Sequence, residues 1–564
     1  MDANIRTVGY ITPAIFTSYF RLLLAGVQRA AHERNARLVI FQMTNSDVMR
    51  SLPYWHGIDG WVTCFSSSHT EQFYDPERPT VKICEPHGGA PAVLIDNFGG
   101  MRAVVEHLLQ LGRTRIAFVG FPSNPDHADR LAGYQAALEG HAIAIDPELI
   151  IPASNLHFQA GAEFGTWFAG QYRRLGCDAC AFTTDNLALG ALHALTQAGV
   201  RVPDDLAVAG FDDMPEAQTA NPPLTTVRIR FDAMSRLAVE HLLDILDGAP
   251  PAGEPLVMPT QLIPRRSAGE HSEPSDTAPA LATNPGEALA RQLAETVAAP
   301  QTLGPGEAPE RLWPEVGTIT GALDAIETGQ PGPGDTEFQY AWASALRNVS
   351  YADPLEQALE LIETYIAQLV AAHPNDPALQ RRARAAARSI RTALLRVSVG
   401  GQVERINRSE YALSLSDRAA RVLADSSLEQ VCSLEWLATT TVAAAALGIW
   451  YGEGAGRQLQ RAGAYPGGAR ATWQPIEEFP PRDVIEHAQT APVVIMPLRS
   501  ARRDWGLFAL ILPEDLNSAL FDSSPLLAAL LTARIDSGMA QREREAQQEE
   551  LRVAYERARA LSDT

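Results

Sequence analysis

Residues 7–42, TVGYITPAIFTSYFRLLLAGVQRAAHERNARLVIFQ, open on a short β-branched and aromatic run, pass through an amphipathic stretch and close on a second apolar run, ARLVIFQ. That pattern predicts a strand, a helix over 18–35 and a second strand, which is one turn of a βα series around a parallel sheet. The alternation continues outward. GWVTCF, PTVKIC and AVLID read as strands, a helix follows over 101–111, and RIAFVGF ends the first series. A second series runs from a helix over 130–139 through LIIPA, a helix over 159–175, DACAFTT, a helix over 186–198 and LAVAGF. Two successive series of about a hundred residues predict two α/β lobes, and in open α/β sheets ligands bind beyond the carboxyl ends of the strands.

Past residue 266 the pattern breaks. Residues 267–314 are dense in Pro, Gly, Ala, Glu and Thr and read as a flexible linker. Residues 315–423 read as a helical connector, with Arg381, Arg382, Arg384, Arg388, Arg391 and Arg396 along its second long helix. A basic stripe of this kind is read first as a solvated or ion-pairing helix face. From 424 to 539 a helix bearing Leu428, Val431, Leu434 and Leu437 leads into AALGIWYGE, RQLQRAGAY, PVVIMPLR and WGLFALILP, the strands of one antiparallel sheet, and then a closing helix. Residues 540–564 form a charged helix with a short apolar seam at Leu551, Ala554, Ala558 and Leu561.

Composition narrows the function. The 564 residues carry 46 Lys plus Arg against 67 Asp plus Glu, a formal charge of −21, which argues against general binding to nucleic acid or an anionic membrane. Lys82 is the single lysine, so nearly every cationic contact must be made by arginine. No apolar run is long enough to span a bilayer and no signal peptide opens the chain, so a cytoplasmic location is the expectation. Five cysteines make no disulfide framework, and Cys177 and Cys180 lack the partner ligands of a zinc site. No metal and no cofactor is expected. Nucleotide-binding, metalloprotease and hydrolase motifs are all missing, so the chain is not read as an enzyme and has no catalytic residues to nominate.

Several ordered motifs carry a resemblance. VGYITPAIFTSYFRLLLAGVQRAA, HADRLAGYQAAL, AFTTDNLALGAL, VAGFDDMPEA and NPPLTTVRIRFDAM together resemble the effector-binding core of LacI/GalR-type regulators. The fold implied over 1–266 is a type I periplasmic-binding-protein-like module, one lobe at about 7–118 plus 240–266 and the other at 119–239. The resemblance implies that Arg130 and Asp212 grip adjacent hydroxyls of a small polyol or sugar, that Asp185 supports them, and that Tyr19 and Phe20 stack on its apolar face. Such a ligand suits bidentate polar groups beside aromatic surfaces. Thr184 stands where the family often places an Asn, and Phe158 lies two residues beyond Leu156, at whose place an aromatic often stacks on the ligand. The chain starts at the first lobe strand without the family's helix-turn-helix, so direct DNA binding is not expected.

Residues 424–539 resemble a GAF domain, with Trp450, Tyr465 and Trp505 as pocket candidates or plain aromatic core. The expected whole is a multidomain α/β protein: ligand module, helical connector, GAF-like α+β domain and C-terminal helix. It would sense a sugar-like or nucleoside-like metabolite, act as a homodimer, and signal to a protein partner without a membrane. Two alternatives stand beside this reading. One is a regulator reaching DNA through a partner, and the other is the sensory part of a signalling enzyme.

Overall fold

The structure, a computed structural model, describes residues 5–13, 18–42, 57–64, 78–84, 91–269, 365–374, 376–451, 458–467, 472–474, 479–481, 484–485, 488, 491–500, 503–512 and 519–562. The expected linker beyond residue 269 and the connector as far as 364 lie outside the described residues. In chain order the principal elements are β1 (Thr7–Thr12), α1 (Ser18–Glu33), β2 (Arg37–Gln42), β3 (Gly60–Thr63), β4 (Thr80–Ile83), β5 (Ala92–Ile95), α2 (Asn97–Gln110), β6 (Ile116–Gly120) and α3 (His127–Gly140). Next come β7 (Ile150–Pro152), α4 (Phe158–Phe168), β8 (Ala179–Phe182), α5 (Asp185–Gln197), β9 (Ala207–Ala209), β10 (Thr226–Arg228), α6 (Phe231–Leu246), β11 (Leu256–Met258) and β12 (Gln261–Ile263). The remainder are α7 (Pro377–Asp425), α8 (Leu428–Ser433), β13 (Ala445–Tyr451), β14 (Gln458–Tyr465), β15 (Thr472–Gln474), β16 (Val493–Arg499), β17 (Asp504–Ile511) and α9 (Ala519–Ser562). They form two compact units, the first made of 1–94, 234–256 and 404–564, the second of 95–233 and 257–403.

In the first unit β1 lies between β2 and β3 in parallel, and β4 and β5 extend the sheet beyond β3. All six residues of β1 are buried, as expected of a parallel strand covered on both faces. Leu23, Leu24, Val27, Ala30 and Ala31 of α1 are buried at helical spacing. Lys82 sits within β4 at 3% exposure, opposite Thr63 and Ala92. The C-terminal strands form the expected antiparallel array, with β15 added at its far edge. One feature departs from the sequence expectation of two separate modules. β16 pairs in parallel with β2, so β5-β4-β3-β1-β2-β16-β17-β13-β14-β15 is one sheet.

The second unit holds the four-stranded parallel sheet β7-β6-β8-β9 and the antiparallel pair β10-β12. Glycines set its helix packing. A Cβ on Gly190 of α5 would stand 2.0 Å from the Phe158 carbonyl oxygen of α4, and one on Gly161 would stand 2.1 Å from the Leu187 carbonyl oxygen. A Cβ on Gly133 of α3 would meet the Phe98 carbonyl oxygen of α2 at 2.4 Å. These backbones approach closer than any other side chain permits.

The lobe boundaries fall elsewhere than expected. Residues 97–118, expected in the first lobe, belong to the second unit, where β6 pairs with β7 and β8 and α2 packs on α3. Residues 234–239, expected in the second lobe, belong to the first unit, and 257–266, expected in the first, belong to the second. The βα alternation runs through each crossover without interruption, so composition leaves no mark there. Ser267, expected to start the linker, is buried, with its Oγ accepting from the Thr225 amide at 2.8 Å and donating to the Val208 carbonyl at 2.6 Å. Residues 404–423, expected in the connector, belong to the first unit. Among the described residues no helix is long and apolar enough to cross a membrane.

Candidate functional site

The carboxyl ends of β6, β8 and β9 in the second unit carry the polar groups that the motifs singled out. Arg130, on the first turn of α3, is buried at 2% exposure. A guanidinium removed from water must be paired and hydrogen-bonded, and this one is. Its Nε donates to Asn97 Oδ1 at 2.8 Å, its Nη1 donates to the Thr183 carbonyl, and its Nη2 donates to Asp126 Oδ2 at 3.3 Å. Asn97 Nδ2 donates in turn to Asp126 Oδ1 at 2.9 Å. The guanidinium carbon lies 3.9 Å over the Phe211 ring, a cation–π geometry that fixes the fork's plane. Asp212 Oδ1 stands 3.7 Å from Nη1, an ion pair longer than a hydrogen bond.

Asp185 explains how the neighbouring loop holds its shape. At the first turn of α5 it is fully buried, its amide donating to the Phe211 carbonyl at 2.7 Å. Its Oδ2 accepts from the Met214 amide at 2.7 Å and its Oδ1 from Thr226 Oγ1 at 2.6 Å. Between those anchors Asp212 and Asp213 adopt φ of 121° and 56°, a region that side-chain-bearing residues seldom enter. Asp213 is clamped from the other side by Arg228 Nε at 2.6 Å and Arg265 Nη2 at 2.7 Å. Gly210 precedes the loop because a Cβ there would fall 2.3 Å from Asp185 Oδ1.

Asp185 and Asp212, buried close together in low dielectric, resist ionisation. Burial pushes the Asp212 carboxyl up to about 7; Arg130 opposes the rise, while Asp126 and Asp213 add to it. Asp185 is raised well above the usual carboxylate range, first by burial and then by Asp212. His127 moves the other way, held neutral by burial and by the Arg130 charge. His127 Nδ1 and Thr183 Oγ1 are buried and make no hydrogen bond within the protein. Both lie beside Gly120, 2.8 Å and 2.9 Å from where its Cβ would be.

The structure thus brings together Arg130, Asp212 and Asp185. Thr184 is the N-cap of α5, its Oγ1 accepting from the Leu187 amide at 3.4 Å. Phe158 is placed differently, exposed at the start of α4 with its ring 5.9 Å from that of His193 on α5. Tyr19 and Phe20 belong to the first unit, half-buried on α1 with ring centroids 4.9 Å apart, edge to face. Tyr19 Oη lies 3.4 Å from Cys84 Sγ. Asn97 lies outside the motifs, while His127, Thr183 and Phe211 lie inside them without an assigned role. Asp126 could have been found from its i,i+4 spacing to Arg130.

Among the described residues no group of three or more His, Cys, Asp or Glu could hold a metal ion. Cys177 and Cys180 are buried free thiols, the first pushed up to about 11 and the second also raised, both by burial, which keeps them protonated and inert. In the C-terminal sheet Trp505 Nε1 donates to Asp536 Oδ1 of α9 at 2.9 Å, and Trp450 packs in the apolar core.

A family model for a periplasmic binding protein-like domain matches residues 105–268. The HTH-type transcriptional regulator reg1 of Streptomyces lividans is 30% identical over 302 residues, covering 47% of this chain and 83% of that protein. The ribose operon repressor of Escherichia coli strain K12 is 30% identical over 251 residues, covering 42% of this chain and 74% of that protein. A solved regulatory protein of the LacI family from Chloroflexus aggregans is 26% identical, with 47% of this chain and 99% of that chain covered and a TM-score of 0.43.

Proposed function

This chain belongs to the LacI family of regulators, and from that premise we propose that it binds a small sugar-like metabolite through the Arg130 and Asp212 site. One observation carries the reading: a buried guanidinium held by Asn97, Thr183, Asp126 and Phe211 with an aspartate beside it at 3.7 Å. Three of its five N–H groups are engaged, which leaves two to donate to ligand hydroxyls, while the adjacent carboxylate can accept. His127 Nδ1 and Thr183 Oγ1 suit a further hydroxyl, which would recover hydrogen bonding lost on burial. Asp185 and the Arg228–Asp213–Arg265 clamp are positioning groups that set the loop rather than touch the ligand.

Tyr19, Phe20, Thr184 and Phe158 stay candidates of lesser weight. Binding shifts a population between conformers without chemistry. The protein works in the cytoplasm as a homodimer with no cofactor, and residues 424–539 serve as a GAF-like relay ending in α9. The names of the curated relatives favour an output at transcription, and in this reading a protein partner delivers it.

Calorimetry over a panel holding D-ribose, cellobiose and nucleosides tests the site. Asp212→Ala and Arg130→Lys each remove one charge-assisted bond, so the affinity of any binder should fall about 10- to 100-fold. A panel without a binder, or a binder whose affinity ignores both changes, would refute the assignment.

A further inference from the structure

The junction between β2 and β16 has a consequence for how the two ends of the chain work together. β2 is the last strand of the parallel sheet of 7–95, and its middle, Leu38–Phe41, is four apolar residues without a lysine, proline or bulge. An edge of that kind invites pairing with any exposed strand, and proteins normally blunt it. Here it is covered instead. Val39 pairs with Val493, Ile40 with Val494 and Phe41 with Ile495, and all six are at most 1% exposed. β16 carries a similar apolar run, Val493–Met496, ahead of Pro497, and its other edge is already paired with β17.

The packing crosses the junction as the hydrogen bonds do. Ile11, Val39, Phe41, Ile58 and Trp61 from the N-terminal strands share one apolar cluster with Val493, Ile495, Leu507, Ala509 and Phe479. On the C-terminal side the β16–β17 hairpin is tied to α9. Ser500 Oγ donates to Asp536 Oδ1 at 2.9 Å, Trp505 Nε1 donates to the same oxygen, and Leu531 and Ile535 are fully buried. On the N-terminal side β2 pairs along its whole length with β1, whose carboxyl end leads into the segment carrying Tyr19 and Phe20.

We propose that the C-terminal α+β domain is an extension of the first ligand-binding lobe, joined through the parallel β2–β16 pair, so that α9 is coupled to β1 through one continuous sheet. The occupant of the β2 edge is thus residues 493–495 of the same chain. Coupling then runs across the sheet and needs no transmission along the intervening chain. That α9 carries a signal rests on the sensory reading above; the pairing itself does not.

The test uses the full chain with Ile40→Cys and Val494→Cys together. Directly paired strand positions lie within disulfide reach, whereas Leu38→Cys with Ile495→Cys, three positions out of register, does not. After mild oxidation and cleavage at arginine, mass spectrometry should find peptide 38–50 linked to 483–499, neither of which holds a native cysteine. The link should form within one chain, and in the control pair only at background level. Hydrogen exchange on the unaltered chain is the second measurement, expected to slow the β2 amides to the rate of β1. No link, equal linking in both pairs, a link only between two chains, or β2 amides exchanging as an open edge would each overturn the proposal. Cross-linking without any sugar binding would sink the sensory reading alone, and sugar binding without cross-linking would sink this one alone.

Discussion

Asp212→Asn replaces a buried carboxyl by a neutral group of the same shape that also tolerates positive φ. In the folded protein this carboxyl titrates at about 7, against an ordinary value near 4, so between those limits the folded state holds a proton that the unfolded state has lost. Folding of the wild type therefore weakens as pH rises from about 4 to about 7, by at most about 4 kcal/mol, and levels off above. The variant lacks that dependence. Hydrogen exchange of the β8 amides at pH 5 to 8 reads the difference locally, because the ratio of wild type to variant at each pH cancels the intrinsic chemistry. The wild type should exchange faster by a ratio that grows up to about tenfold per pH unit as far as pH 7 and is flat beyond. His127 is common to both proteins and drops out to first order, whereas Asp185, raised in part by Asp212, shifts in the variant and adds its own change to the ratio. A ratio independent of pH would refute the reasoning, since it would mean that Arg130 at 3.7 Å keeps Asp212 ionised in spite of burial.

Two further changes probe the scaffold. Gly190→Ala forces a methyl to 2.0 Å from the Phe158 carbonyl oxygen, so α4 and α5 must separate; thermal melts should show a loss of about 1–3 kcal/mol, and an unchanged melt would disprove close backbone contact. Asp213→Ala leaves Arg228 and Arg265 as buried charges without their shared carboxylate and should cost about 3–5 kcal/mol in urea unfolding of the second unit, whereas a loss below about 1 kcal/mol would show that both arginines find water.

The alternation of apolar runs and amphipathic stretches made the α/β layout legible, because a parallel strand buried on both faces has few ways to be written, as TVGYIT and IAFVGF show. The motifs made legible that Arg130, Asp185 and Asp212 lie together. What holds them was not legible. Asn97 reaches Arg130 across the packing of α2 on α3, and nothing near either residue announces the other. The positive φ of Asp212 and Asp213 accompanies hydrogen bonds that tie Asp185 both to the two ends of their loop and to Thr226 of β10, which no local propensity records. The crossovers at 94–95, 233–234 and 256–257 were invisible for a different reason: chain passing between two units built from the same βα grammar need not change composition. The β2–β16 pairing joins opposite ends of the chain, and each strand alone reads as an ordinary core strand.

Lys82 lies within the parallel sheet of the first unit at 3% exposure. A protein whose single side-chain amine is enclosed by its own strands offers amine-directed reagents no surface lysine while folded. Acylation of Lys82 would then be a chemical clock for opening of that sheet, one label per molecule with no background from other lysines. The same scarcity means that random amine coupling to a sensor surface would capture mainly molecules attached through an α-amino group or already unfolded, so tethering for binding measurements is better done through a chosen cysteine.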